Sequence, residues 1–393
     1  MIGAIVIGGD YRGLGVVRSL GRRGIPVWVL TDEHHVAATS RYTRRHYAWP
    51  AGGAPRQIEF LLELARRHGV AGWALIPTGD ETAALLAQHR ACLAENFRVT
   101  TPPWETLRWA YDKRLTHQLA LELAIAQPWT HNPLDRNELV ELECPFPAIL
   151  KPAVKPQLNR FTRAKAWPVD DRQALLAGYD AACAFAAPGD IIVQELIPGG
   201  GEEQLSFAGL CRDGEPLACL TARRARQYPI DFGRSSSFVE TIRQPEVEQT
   251  AIRILRALRY TGLIEVEFKL DRRDGRCKLL ELNPRVWGWH TLGRLAGLDF
   301  PYLLWRLACG MSMNHIVSSA RPGLRWLHLR TDLPALMQGL RRGVLSPSAY
   351  LASLRGPLEF AIFAKDDPLP AMLDLPLLAY LGWRRRSLGI SQP

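Results

Sequence analysis

Ile264-Glu-Val-Glu-Phe-Lys-Leu-Asp-Arg-Arg-Asp-Gly-Arg-Cys-Lys-Leu-Leu-Glu-Leu-Asn-Pro-Arg285 reads as two strands joined by a tight turn. Period-two alternation puts Glu265 and Glu267 on one face of the first strand, and Glu281 and Asn283 on one face of the second. A three-residue turn at Arg273-Asp-Gly275, with Gly275 left-handed, sets Arg272 opposite Arg276. Counting back, Glu267 falls opposite Glu281, and Glu265 opposite Asn283. Facing carboxylates repel unless a cation lies between them. Two carboxylates and a carboxamide suit Mg²⁺, a hard ion that keeps water and phosphate oxygens as its remaining ligands. The competing reading is a solvated hairpin face, because a slip of one residue would undo the pairing.

Charge sharpens the first reading. The 393-residue chain carries 49 Lys+Arg against 39 Asp+Glu, yet only seven of its basic residues are lysine, at 113, 151, 155, 165, 269, 278 and 365. Residues 101–309 are nearly neutral, so the basic excess lies at the two ends. No zinc-finger spacing, RNA-binding aromatic signature or basic heptad region accompanies it, and no nucleic-acid partner is expected. Seven cysteines without a C-x-x-C pair read as reduced thiols, and no apolar run is long enough for a membrane span. With a strand rather than a leader at the start, the expected location is cytoplasmic.

Ahead of the hairpin, Ala4-Ile-Val-Ile7 runs into the glycine turn Gly8-Gly9-Asp10-Tyr11-Arg12-Gly13, a helix to Arg23, and the strand Pro26–Leu30. Further alternation, with a strand near His46–Trp49, a helix across Gln57–Arg67 and a strand at Trp73–Ile76, makes residues 1–100 a small Rossmann-like domain. The G-x-G-x-x-G spacing of a dinucleotide site is absent, which favours a structural turn. Residues 101–190 read as a helix across Glu105–Ala126, a strand Ala148–Lys151 and a helix near Arg172–Phe185. Residues 191–310 hold the strand Ile191–Glu195, paired strands about Asp213-Gly214, a helix Glu246–Arg259 and the hairpin. Residues 311–393 form a less regular C-terminal extension. Lys151 at a strand end and Lys113 in a helix are placed as point charges for phosphates. Gln194-Glu-Leu-Ile197 reads as a hinge able to offer backbone groups and apolar side chains to a purine.

In this order, Lys113, Ile149-Leu-Lys-Pro152, Val193-Gln-Glu-Leu-Ile-Pro-Gly199, Glu265-Val-Glu-Phe268 and Leu280-Glu-Leu-Asn-Pro-Arg285 resemble the ATP-grasp superfamily of carboxylate–amine ligases. The likeness covers roughly residues 1–310. It implies an α/β and α+β architecture: the Rossmann-like domain, then an ATP-grasp fold of two α+β subdomains. It implies that ATP and Mg²⁺, or Mn²⁺, are used to join a small-molecule carboxylate to an amine through an acyl phosphate. Carried over, Lys113, Lys151 and Lys165 contact the phosphates, Glu195 and Ile197 meet the adenine, and Glu203, in preference to Glu202, binds the ribose. Glu267, Glu281 and Asn283 hold metal, while Arg285 with Arg224 and Arg226 stabilises the transferring phosphoryl group. Two departures stand out. Residues 152–167, in the place of a glycine-rich phosphate loop, contain no glycine, and the tail beyond Met311 has no counterpart in the well-known members.

Other readings stay open. A kinase of the same superfamily would stop at a phosphorylated product. An NAD(P)-dependent oxidoreductase would use the N-terminal sheet, and an interaction protein would keep the fold without turnover. Trp287 and Trp289 either line a substrate pocket or pack the hairpin, and His290 reads as structural. Asp80 and Glu81 follow a parallel-strand end, where they hold an amine or cap a helix. Ser235-Ser-Ser237 reads as a mobile loop near the arginines. The apolar tail ending in Trp383-Arg-Arg-Arg386 is either a docked helix or a peripheral contact with an anionic membrane. A homodimer is a further expectation.

Overall fold

The computed structural model describes residues 1–154, 159–163, 166–231, 233, 235–313 and 321–387. The first strands are β1 (Ala4–Ile7), β2 (Val27–Thr31), β3 (Thr43–Ala48), β4 (Ala74–Pro77) and β5 (Arg98–Val99). They form a parallel sheet in the order β3-β2-β1-β4-β5. Apolar runs suit β1 and β2 because helices cover both faces. Ala4 and Val6 pack with Leu14 and Val17 of the helix Tyr11–Gly21, while Ile5 and Ile7 pack with Leu61 and Leu64 of the helix Ala54–His68.

The glycine turn after β1 is filled by the protein itself. A Cβ on Gly9 would lie 1.9 Å from the His34 carbonyl oxygen, and one on Gly8 1.9 Å from the Thr78 hydroxyl. Asp10 caps the following helix, its side chain accepting from the N–H groups of Arg12 and Gly13. Those are the donors an incoming phosphate would need, so the structural reading of this turn stands.

A four-stranded antiparallel sheet follows, from β6 (Thr130–His131), β7 (Ala148–Pro152), β8 (Trp167–Val169) and β9 (Ile191–Glu195), in the order β6-β9-β7-β8. The single helix expected across Glu105–Ala126 is two helices, Trp104–Tyr111 and Lys113–Glu122. Asp112 breaks it: its backbone is extended, and its carboxylate caps the second helix by accepting from the Arg114 N–H. The Lys113 N–H donates to the Ala153 carbonyl instead, tying that helix start to the end of β7.

The largest sheet contains β10 (Gln204–Arg212), β11 (Glu215–Tyr228), β12 (Ser235–Ile242), β13 (Gly262–Asp271), β14 (Arg276–Asn283), β15 (Arg325–Leu327) and β16 (Leu358–Phe360), in the order β14-β13-β10-β11-β12-β15-β16. The helix Pro245–Ala257 covers it, burying Val247, Ala251, Ile254 and Leu255 with Phe207 and Phe268. Ser235–Ser237 starts β12 rather than a mobile loop, and the fully buried Ser237 hydroxyl donates to Asp332 at 2.8 Å. Residues beyond 310 are more regular than expected, since β15 and β16 extend this sheet, the helix Leu329–Arg341 packs on β11 and β12, the helix Pro347–Ser353 follows, and the helix Leu369–Ser387 packs against Val36–Thr39. The chain then returns to its start, where Arg18 of the first helix makes a buried ion pair with Asp367 at 2.9 Å.

Candidate active site

The hairpin of β13 and β14 pairs Glu265 with Asn283 and Glu267 with Glu281. It reaches that register by two departures that cancel. Asp271, not Arg272, stands opposite Arg276, so the turn Arg272–Gly275 is one residue longer than expected. Asp271 fixes this turn by accepting from the Arg273 N–H and guanidinium and from Lys278, and Gly275 adopts φ +71°. A bulge opposite Glu267 and Phe268 then leaves Leu280 as an extra residue on β14 and restores the pairing of the carboxylates.

The paired acids are held by cations and amides. Lys113 lies 3.2 Å from Glu281, and Arg224 lies 3.2 Å from Glu267 while donating to Gln204 at 2.7 Å. The Asn283 amide donates to Glu267 at 3.0 Å and Glu265 at 3.3 Å, and its oxygen accepts from Arg285 at 3.1 Å. Arg285 is itself held at 2.7 Å by Asp80, the first residue of the helix Asp80–Gln88 that follows β4, so the Asp80 charge is engaged by an arginine. Glu265, deeper still, accepts from the Trp289 indole N–H at 2.9 Å. Burial and the neighbouring Glu267 charge push its carboxyl up to about 7.

A cavity of about 410 Å³ opens in front of Glu267 and Glu281. Lys113, Lys151 and Lys269 line it, with Glu195–Gly200 of the hinge and Gln204, Gln227 and Leu280. Lys151 is buried and donates to Gln194 at 2.8 Å. Gln194 in turn contacts His117 at 3.0 Å and Thr130 at 2.8 Å. Burial and the Lys151 charge lower His117 to about 4, which leaves it neutral at physiological pH. Lys269 donates to the carbonyls of Ile197 and Gly199 at 2.8 Å each, clamping the hinge to β13.

Most of the residues selected from the sequence therefore meet here: Lys113, Lys151, Glu195, Ile197, Arg224, Glu267, Glu281, Asn283 and Arg285 surround one cavity or its carboxylate floor. Lys165 lies outside the described residues, and two of the others do not meet here. Glu203 is buried beneath the Gly199 turn and paired with Arg272 at 2.8 Å, away from the cavity that its neighbour Gln204 lines. Arg226 points to the opposite side from Arg224 because a bulge at Ala225 reverses the alternation of β11. Its guanidinium is bonded to Asp332 and Ser353 and lies 4.0 Å over the Phe238 ring. Trp287 and Trp289 are core residues, and His290, fully buried with its Nδ1 2.8 Å from the Trp287 carbonyl, is structural.

His117, Gln204 and Lys269 were not anticipated at the site, and Gln194 was read only as the start of the hinge, not as the partner of Lys151. Lys269 had a signal, since it shares the alternating face of Glu267 and stands opposite Gln204. A metal fits this donor set in one way. Among the described residues no group of three or more His, Cys, Asp or Glu is poised to hold an ion. Glu267, Glu281 and Asn283 supply a partial oxygen shell, which suits a hard cation completed by phosphate and water.

Residues 190–331 match the family described as ATP-grasp in the biosynthetic pathway with Ter operon. The chain is 26% identical over 249 residues to a D-aspartate ligase of Enterococcus faecium, covering 59% of this chain. It spans 30% and 58% of the length of the two curated relatives it matches. Solved structures share the fold. An L-amino acid ligase of Bacillus licheniformis superposes with a TM-score of 0.61 at 15% identity, over 78% of this chain and 74% of that one. The biotin carboxylase domain of a Hydrogenobacter thermophilus 2-oxoglutarate carboxylase, solved with MgADP and bicarbonate, gives 0.63 at 16% identity, over 81% and 72%. The matched segment spans the hinge, the hairpin and strands β10 to β15 of the large sheet, and over these residues the chain is similar to the ATP-grasp family.

Proposed function

We propose that this chain is an ADP-forming ligase that activates a small-molecule carboxylate with ATP and joins it to an amine. The observation that carries this reading is the single cavity in which lysines 113 and 151 face the carboxylates Glu267 and Glu281, with a hinge at its other end. Adenine would lie along Glu195–Ile197, and Gln204 replaces Glu203 in the proposed ribose contact. Lys113 and Lys151 would neutralise the phosphates, and Lys269 would hold the hinge in place.

In the first step an oxygen of the substrate carboxylate attacks the γ-phosphorus, the bond to the β-phosphate oxygen breaks, and ADP leaves. In the second the amine nitrogen attacks the acyl carbon, inorganic phosphate leaves with the bonding pair, and the proton lost from the amine ends on the departing phosphate. Arg224, anchored by Gln204 and Glu267, and Arg285, anchored by Asp80 and Asn283, present preorganised positive charge to the oxygens on which negative charge grows. The anchoring matters because charges already in place need not reorganise as the phosphoryl group moves. When bound, Mg²⁺ or Mn²⁺ would be held by Glu267, Glu281 and Asn283 and would neutralise phosphate oxygens.

The test is ATP turnover by the purified chain over a panel of carboxylate and amine pairs, with ADP, phosphate and amide product measured together. Stoichiometric ADP, phosphate and amide are expected with one class of pair. A stable phosphorylated product would make the chain a kinase instead. Absence of turnover with every pair, together with no ATP binding by calorimetry, would overturn the reading.

A further inference from the structure

Surface helices ordinarily bury their apolar face and show a polar one. Two helices of the C-terminal segment do the reverse. The helix Leu329–Arg341 buries Asp332, Ala335 and Gly339 against the large sheet. It turns Leu329, Leu333, Met337 and Leu340 outward, each 40–53% exposed. Their spacing of four, four and three places them in one stripe. The helix Leu369–Ser387 buries Asp374 and Leu381, while Met372, Leu375, Tyr380 and Trp383 are 51–71% exposed. An ion pair between Arg330 and Asp374, at 3.1 Å, joins the two helices near their starts. Large apolar side chains grouped in this way mark a contact surface rather than scattered exposure.

Charge identifies what the surface meets. All five acids of residues 310–393 are already engaged with arginines: Asp332 with Arg226, Glu359 with Arg294, Asp366 with Arg22, Asp367 with Arg18 and Asp374 with Arg330. Arg321, Arg341, Arg355 and Lys365 of the same segment are exposed. The second helix carries its aromatic pair, Tyr380 and Trp383, directly before Arg384-Arg-Arg386, of which Arg385 is already paired with Glu33. Apolar stripes with interfacial aromatics and outward cations complement an anionic lipid surface. A second copy of this chain is the poorer occupant, because a twofold interface sets the same cationic rim against itself. No helix among the described residues is long and apolar enough to cross a membrane, so the contact would lie in the plane of the interface.

We propose that the outward faces of helices Leu329–Arg341 and Leu369–Ser387 seat this chain on an anionic lipid surface. The test is co-sedimentation of the full chain with vesicles of phosphatidylcholine alone and of phosphatidylcholine mixed with phosphatidylglycerol. Binding is expected only to the mixed vesicles and weakens as salt rises. Two variants on separate helices, Leu333→Glu/Met337→Glu and Leu375→Glu/Trp383→Ala, should each bind on the order of tenfold more weakly, with circular dichroism and melting temperature unchanged. Protein left in the supernatant with mixed vesicles, or variants that bind like the parent, would overturn the proposal. So would a concentration-dependent dimer that the same substitutions disperse, since it would assign the face to a second copy.

Discussion

Glu267 and Glu281 face each other across neighbouring strands, and each is met from outside the pair by its own cation, Arg224 for the first and Lys113 for the second, both at 3.2 Å. Like charges in that position destabilise a sheet unless compensated. Here the compensation comes from the lysine and arginine proposed to handle phosphate, so the carboxylates hold those cations in place. Glu281→Gln keeps the shape but removes the charge, and its side chain is about a quarter exposed, so little stability is at stake. Turnover should fall by on the order of 10²–10³-fold, with an unchanged melting temperature. Parent-like ATP consumption by this variant would remove the hairpin from the chemistry.

Arg224 and Arg226 separate chemistry from stability two residues apart. Arg224 sits at the carboxylate floor, and Arg224→Lys, which keeps a cation beside the buried Glu267, should depress turnover while the protein stays folded. Arg226→Ala leaves the fully buried Asp332 carboxylate without its cation, facing the Ser237 and Tyr350 hydroxyls alone among the described residues. Breaking such a pair costs about 3–5 kcal/mol. Denaturant unfolding should show that loss for Arg226→Ala, and a variant with parent-like stability would contradict the placement.

The Rossmann-like alternation and the carboxylate pairing were legible because both rest on the chain's local period and on apolar runs. What escaped depends on single-residue insertions. The turn at Arg272–Gly275 and the bulge at Leu280 offset each other, so the right partners emerged from a wrong count. No such compensation protected Arg226, where the bulge at Ala225 sent the side chain to the other face. Glu203 failed for a different reason, because only the folded Gly199 turn shows which of three adjacent polar residues reaches the cavity. Asp112, read as mid-helix, is a cap, and its extended backbone separates Lys113 from the preceding helix.

Asp367 ties the last part of the chain to the first. It accepts from Arg18 and Ser40 and from the Arg41 N–H, and it is almost fully buried. Asp367→Ala removes the counter-charge of the Arg18 guanidinium, which is 5% exposed in its side chain and keeps only the backbone carbonyls of residues 362 and 367 as acceptors among the described residues. A loss of about 3–5 kcal/mol is expected. Because Arg18 belongs to the helix beside β1, limited proteolysis of this variant should open the N-terminal sheet and the C-terminal segment together. Cleavage confined to the C-terminal segment would show that the two do not share their stability.

His328 makes stability depend on pH. Both ring nitrogens are buried without a hydrogen-bond partner among the described residues, and the ring lies tilted against that of Tyr11, with centroids 4.5 Å apart. Burial, with the Arg330 charge beside it, lowers the imidazole from 6.5 to about 3. A depressed histidine is neutral in the folded chain while its unfolded counterpart takes up a proton below about pH 6.5. The unfolded state then binds more protons, so stability is full above that pH and declines as pH falls. Between pH 6.5 and pH 4 the decline from this one group amounts to roughly 3 kcal/mol. Phenylalanine preserves the ring and forfeits no hydrogen bond, so His328→Phe should match the parent near pH 7 and exceed it near pH 4.5. Melting temperatures at the two pH values decide the matter, and equal slopes for variant and parent would mean that His328 does not carry the acid sensitivity.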